Sequence, residues 1–294
     1  MENARTRDMA GRNETEDIAN IVHALHTKTE GGLKLMASFK ETFGVELLDA
    51  RERAGNRGVH YDFQILVRTK VLNLREKSWS TRDVWKNVEH KGSQTTTPIP
   101  SDQTPWAAGV QFHNGGCDKY SIGKLYAKTW YDRLIASGEL TREHALSSPI
   151  PTFDEWFHKD AKTQGDPKTP FGLELKKKVK NSGASLGEKR KTVHDAFQPT
   201  PEDLATFKKE ALVVLNESLR QKDVWLTIHG DIQGTFHCAW YPQFLISELP
   251  SVTMRKEKDI WFDFDCPETK FSCILRWGKG AGFSNLRIDA RDTV

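Results

Sequence analysis

His60-Tyr61-Asp62-Phe63-Gln64-Ile65-Leu66-Val67 decides the fold, and Val84-Trp85-Lys86-Asn87-Val88-Glu89-His90-Lys91 is its natural partner. Side chains alternate along an extended chain. Tyr61, Phe63, Ile65 and Val67 therefore share one face of the first stretch, and His60, Asp62, Gln64 and Leu66 the other. In the second stretch Glu89 and Lys91 share a face, while Val88 and His90 share the opposite one. If the two strands pair, Asp62 approaches Glu89 and Lys91 from the neighbouring strand, and the spacing of two aims both of those side chains to one side of the sheet. A polar connection through Lys70 to Arg82 is expected to join them, and Val45 to Ala50 is a shorter candidate strand before them.

Working outward, Ile18, Ile21, Val22 and Leu25 follow the i, i+3, i+4, i+7 spacing of an amphipathic helix, preceded by a polar tail over residues 1–13. Gly31-Gly32 reads as a break, after which Leu35, Phe39, Thr42 and Phe43 predict a second helix ending at Gly44. Gly92 to Pro105 is rich in Thr, Pro and Ser and predicts a loop. Ser121 is expected to cap a helix carrying Ile122, Leu125, Tyr126, Trp130 and Leu134 on its apolar face. Residues 137–201, with many prolines and two basic runs, read as an insertion or mobile lobe. A helix marked by Leu204, Phe207, Ala211, Val214 and Leu215 follows, and then five candidate strands from Val224 to Ala290.

The expected fold is thus α/β, a mixed central β-sheet flanked by helices with a β-rich C-terminal part. The expected organisation is a tail over 1–13, a core over 14–136, the basic lobe over 137–201, and 202–294 as the remainder of the same unit.

Composition supports a packed protein rather than a disordered one: 37% of residues are hydrophobic, with nine Trp and fifteen Phe to fill a core. A net charge of only +3 argues against a protein that coats nucleic acid, while leaving room for local basic patches. Cys117, Cys238, Cys266 and Cys273 contain no Cys-x-x-Cys pair and read as thiols of a reducing compartment. With His237 three of them could in principle surround zinc, but their spacing matches no known ligand pattern. The polar N-terminus has no signal-peptide core and no stretch is apolar enough to span a membrane, so a cytoplasmic protein with no membrane partner is expected.

Two carboxylates and a lysine on adjacent strands suit phosphodiester hydrolysis. The carboxylates supply the oxygen ligands Mg²⁺ prefers, and the ammonium orients the attacking water or offsets charge in the transition state. At these residues the sequence resembles the PD-(D/E)XK nuclease superfamily, and within it type II restriction endonucleases. The resemblance rests on Asp62 in Gly58-Val59-His60-Tyr61-Asp62-Phe63, on Glu89-His90-Lys91, and on the helix-strand-strand-strand-helix order over residues 16–136. No proline precedes Asp62.

The resemblance implies a Mg²⁺-dependent endonuclease acting on double-stranded DNA, often as a homodimer. It makes Asp62, Glu89 and Lys91 catalytic, with Asp62, Glu89 and the backbone carbonyl of His90 as metal ligands. It also points to an additional acidic residue from the preceding helix, Glu41 or Glu30. Gln64 and His60 share the Asp62 face and are expected to support the cluster. A repair or recombination nuclease of low specificity shares the site. In a non-catalytic DNA-binding protein the same three residues would be surface ion pairs, worth little.

Candidate DNA contacts are Lys119 and Lys124 beside the Gln111–Gly116 turn, Lys176, Lys177, Lys178, Lys189 and Arg190 in the basic runs, and Arg276, Lys279 and Arg287. His229 to Gly234 reads as a hairpin turn rather than a metal motif. Asp263 and Asp265 form a weak second acidic pair.

Overall fold

The chain enters through two helices, α1 (Glu2–Thr27) and α2 (Glu30–Phe43), then runs through β1 (Glu46–Glu52), β2 (Phe63–Asn73) and β3 (Ser78–Ser93). Next come β4 (Gln111–Gly116), α3 (Ser121–Trp130), α4 (Glu139–His144), α5 (Phe153–Trp156), α6 (Pro170–Val179), α7 (Gly183–Ala196) and α8 (Pro201–Leu219). The strands β5 (Val224–Gly230), β6 (Phe236–Pro242), β7 (Ser251–Lys256), β8 (Ile260–Asp265), β9 (Lys270–Trp277) and β10 (Leu286–Asp292) complete it. This is a computed structural model, and it describes residues 2–53, 61–73, 75, 77–93, 111–163, 166–179, 183–257, 259–267, 270–277 and 286–292.

These elements form two compact units. The first comprises residues 1–108 and 218–245, the second 109–217 and 246–294. A contiguous core over 14–136 was expected. Instead the first sheet is completed by strands from far downstream, and the helix at Ser121 belongs to the second unit.

The sheet of the first unit is mixed, in the order β1-β2-β3-β5-β6. All its neighbours are antiparallel except β3 and β5, which run parallel with Val88 opposite Val224. A parallel pair needs a long crossover, and residues 94–223 supply it. Helices α1 and α2 cover one face, where Leu25, Leu35 and Phe39 pack with Phe63, Ile65, Val67, Val88, Leu226 and Trp240.

Gly31 and Gly32 do not break the helix. The break is at Lys28-Thr29, where Thr29 caps α2 by accepting the Gly32 N–H at 3.2 Å. Both glycines instead permit close backbone approach. A Cβ on Gly32 would lie 1.9 Å from the Ala24 carbonyl oxygen, and one on Gly31 2.2 Å from that of Ile232. Gly44 ends α2 in the left-handed conformation, as its position predicts. Residues 2–13, expected as a tail, continue α1.

The second unit holds an antiparallel sheet in the order β4-β10-β9-β8-β7. Gln111–Gly116, read as a turn, is strand β4 paired with β10, and β7 also went unpredicted. Ser121 is not the cap of α3: that position is Tyr120, and the Ser121 N–H and hydroxyl both donate to Glu210. Residues 137–201 are not a mobile appendage. Trp156, Phe157, Leu175, Val193 and Phe197 are buried, and the Asp160 carboxylate accepts the Lys168 and Thr169 N–H groups at the start of α6.

The glycine contacts generate a stability prediction. Helix propensity alone favours Ala over Gly by about 1 kcal/mol, yet Gly32→Ala is expected to destabilise the protein by about 2 kcal/mol through overpacking. Urea unfolding measures it, and an unchanged or raised midpoint would contradict the close approach of α1 and α2.

Candidate functional site

Pairing of β2 with β3 sets Phe63 opposite Val88, and the Asp62 N–H donates to the Val88 carbonyl at 2.8 Å just past the end of β2. That register delivers the Asp62 carboxylate to the next exposed donor on β3, so Asp62 Oδ2 accepts the His90 N–H at 2.7 Å. Alternation along β3 sends Glu89 and Lys91 to the same face. Lys91 Nζ lies 2.8 Å from Glu89 Oε1 and 3.9 Å from Asp62 Oδ2. The three residues selected from sequence spacing therefore meet in one cluster.

A fourth member had no local signal in the sequence. Lys222 Nζ lies 3.3 Å from Glu89 Oε2, so the two Glu89 oxygens face two different ammonium groups. Its side chain is only 3% exposed, with the ammonium 4.8 Å from the Trp225 ring centroid. Burial pulls the Lys222 pKa down and Lys91 adds to that, while Glu89 and Asp62 oppose it.

A relay of bonds holds the short turn that carries Lys222. Arg51 donates to Gln64, Gln64 to the Asn87 side-chain oxygen, and the Asn87 amide to the Gln221 carbonyl, at 2.8, 2.8 and 2.9 Å. Asp223 completes the clamp, accepting the Asn87 N–H at 2.8 Å and pairing with Lys86 at 2.9 Å. Gln64 thus supports the cluster by fixing the turn that presents Lys222.

The His90 side chain is buried on the opposite face from Glu89, so only its backbone can serve the cluster. Within a strand the N–H and C=O of one residue point the same way, which turns the His90 carbonyl toward the side where Asp62 takes its N–H. Burial, with Lys91 and His229 nearby, pushes the His90 pKa down to about 3. Its Nε2 has no hydrogen-bond partner among the described residues.

Glu41 and Glu30 are exposed on α2, the helix that covers the other face, and are not brought to the cluster. His60 lies outside the described residues, as does Lys279.

The proposed DNA contacts lie in the second unit, several of them already engaged. Lys189 is nearly buried between Glu139 and Glu143, Arg190 lies 3.5 Å from Asp259, and Lys176 pairs with Asp166. Lys178 donates to the Ala145 carbonyl at 2.6 Å, whereas Lys119 and Lys177 are exposed. Lys124 is also exposed, 3.9 Å from Asp154, and Arg276 and Arg287 sit opposite one another on β9 and β10. Asp263, one of the second acidic pair, is taken by Arg255 and Ser272, while Asp265 is exposed. The expected turn between β5 and β6 is formed by Asp231 to Thr235, with His229 and Gly230 still paired in β5. The cysteines are free, and no cluster of three or more His, Cys, Asp or Glu suited to a metal occurs among the described residues. No described helix is long and apolar enough to cross a membrane.

Two predictions follow from the buried charges. Removing one member of a buried ion pair strands the other, so Lys222→Met is expected to cost about 3 kcal/mol. Adding Glu89→Gln should recover at least about 1 kcal/mol of that, a coupling a double-mutant cycle in urea detects; strict additivity would dissociate the pair. His90 supplies the second. Unfolded, it takes up a proton near pH 6.5, and folded only near pH 3. Between those values the unfolded state binds more protons, so stability falls as pH falls, by up to about 1.4 kcal/mol per unit. His90→Leu should flatten that slope by up to one proton below about pH 6 and leave it unchanged above about pH 7.

No protein-family model matches the sequence, and neither a curated protein nor a solved structure matches it, so function rests on the geometry of this cluster.

Proposed function

We propose that the Asp62–Glu89–Lys91 cluster hydrolyses DNA phosphodiester bonds with Mg²⁺, in a restriction-endonuclease-like core, and that the protein is a type II site-specific endonuclease. The observation that carries this reading is the convergence itself. Two carboxylates and an ammonium from adjacent strands meet on one face within 4 Å of each other through Lys91. A mixed sheet in which three antiparallel strands are followed by a parallel one supports it further.

The donor set fits Mg²⁺: two carboxylates and a carbonyl are hard oxygen ligands, and this ion usually retains several waters beside one or two carboxylates. Asp62, Glu89 and the His90 carbonyl would hold it. When bound, it would acidify a coordinated water and neutralise charge on the phosphoryl oxygens. The remaining work belongs to the chain. The His90 N–H fixes Asp62, and Lys222 keeps Glu89 in place. Lys91, released from Glu89, turns to the attacking water and to the charge that develops on the phosphorus centre. The cluster carries two negative and two positive groups, so the charge to be stabilised is that of the incoming phosphate and cation together. A homodimer would cut both strands of a two-fold symmetric site.

The test is plasmid cleavage with Mg²⁺ or with EDTA, using the wild type, Asp62→Ala and Lys91→Ala. Discrete fragments that require Mg²⁺ are expected, with each variant slower by at least about 10²-fold. A smear would reassign the protein to nucleases of low specificity. Activity that survives in both variants would move the chemistry elsewhere, and a wild type inert on unmethylated DNAs would leave a binding protein.

A further inference from the structure

The same hairpin that carries the cluster continues well beyond the sheet. β1 pairs with β2 only from Phe63 to Arg68, and β5 pairs with β3 only from Val88 to Ser93. From Thr69 opposite Arg82 to Asn73 opposite Ser78, β2 and β3 have only each other as strand partners among the described residues. This region was expected to be a polar connection; it is a two-stranded arm of five residue pairs, about 17 Å long at the usual rise.

The arm's surface is unlike that of a solubilising loop. Trp79 is 67% exposed, and its direct cross-strand neighbour Leu72 on the same face and Val71, opposite Ser80 on the other face, are each about 40% exposed. Lys70, Arg75, Lys77 and Arg82 are exposed around them. In the sequence from Thr69 to Arg82, Glu76 is the single acidic residue. Isolated two-stranded ribbons gain little from burying side chains, so the largely exposed Trp79 adds to folding at most a cross-strand contact with Leu72. Two copies of the arm would bring like charges together, which disfavours self-association. A polyanion with flat apolar surfaces complements both the cations and the ring.

By alternation, Lys70, Leu72 and Trp79 project from the face that carries Asp62, Glu89 and Lys91. Trp79 precedes Glu89 by ten residues on β3, about 33 Å along the strand and close to one turn of duplex DNA, about 34–36 Å. A two-stranded ribbon is also narrow enough to enter a DNA groove.

We propose that this arm is a duplex-DNA-binding element, in which Lys70 on the cluster's face and Arg82 on the opposite face of the ribbon contact phosphates and Trp79 packs against the groove about one helical turn from the cluster. The choice of duplex DNA rests on the nuclease reading; the cations and the exposed ring are independent of it.

The test is equilibrium binding of the full chain to a fluorescein-labelled duplex of about three helical turns, in EDTA so that nothing is cut, across a range of salt. The Lys70→Glu/Arg82→Glu variant is expected to bind at least about tenfold more weakly, with the log–log salt dependence shallower by about 1.8. Trp79→Ala is expected to bind about tenfold more weakly at unchanged salt slope. All three positions are exposed, so circular dichroism and melting should match the wild type. Wild-type affinity and slope in both variants would overturn the proposal, as would a wild type that binds no duplex. So would a free protein that is a dimer and that these substitutions turn into monomers. Should the variants lose binding while no divalent metal ever supports cleavage, the arm stands and the nuclease reading falls. Should they bind normally while Asp62→Ala abolishes cleavage, the reverse holds.

Discussion

The register of β2 against β3 is the constraint on which the site depends. Phe63 opposite Val88 leaves Asp62 one residue beyond the last pair, beside the N–H of His90. A slip of one residue would exchange every side chain between faces, placing Asp62 among Phe39 and Leu35 and bringing Phe63 and Ile65 into water. The core therefore enforces the register that assembles the cluster. Burying Phe63, Ile65, Val67 and Val88 under α1 and α2 is what holds a carboxylate against Glu89 and Lys91.

Charge balance is the second constraint. Glu89 is 10% exposed and Lys222 3% exposed, and an isolated charge so deeply placed would be strongly disfavoured. Each is tolerated because it faces the other. Lys91 at 28% exposure can leave the group without stranding Glu89, since Lys222 remains. One ammonium is thus buried and confined, while the other is the more exposed of the two. That division follows from burial alone, before any reaction is assigned.

Much of the site was legible because it is local. Asp62 directly precedes β2 and Glu89 and Lys91 lie on its partner β3, and the 2-residue period states which side chains share a face. The helix end at Gly44 was legible for the same reason, a local backbone demand that only glycine meets cheaply. Lys222 was not. Its position depends on the crossover returning β5 beside β3 and on the Asn87–Gln221 bond, neither of which leaves a pattern near Lys222 itself. The arm was misread because both its faces meet solvent, so the hydrophobic alternation that marks a half-buried strand fades after Val67. Gly31-Gly32 misled for the opposite reason: the sequence shows a helix breaker, but tertiary contact with Ala24 and Ile232 makes the missing Cβ an advantage.

One hairpin accordingly has two ends under opposite physical demands. At the inner end strands on both sides fix β2 and β3, and side chains fully paired with backbone or charge leave little freedom. Placing reacting groups on such strands rather than on loops is how a site keeps its geometry. At the outer end the same two strands have no other strand partner among the described residues, keep their cross-strand register through Asn73 and Ser78, and expose a ring and several cations. Continuous strands connect the two, so the arm is joined to Asp62 and Glu89 through paired backbone. On the proposed reading, the outer end would set where a duplex lies relative to the inner end without any side chain of the cluster taking part in that choice.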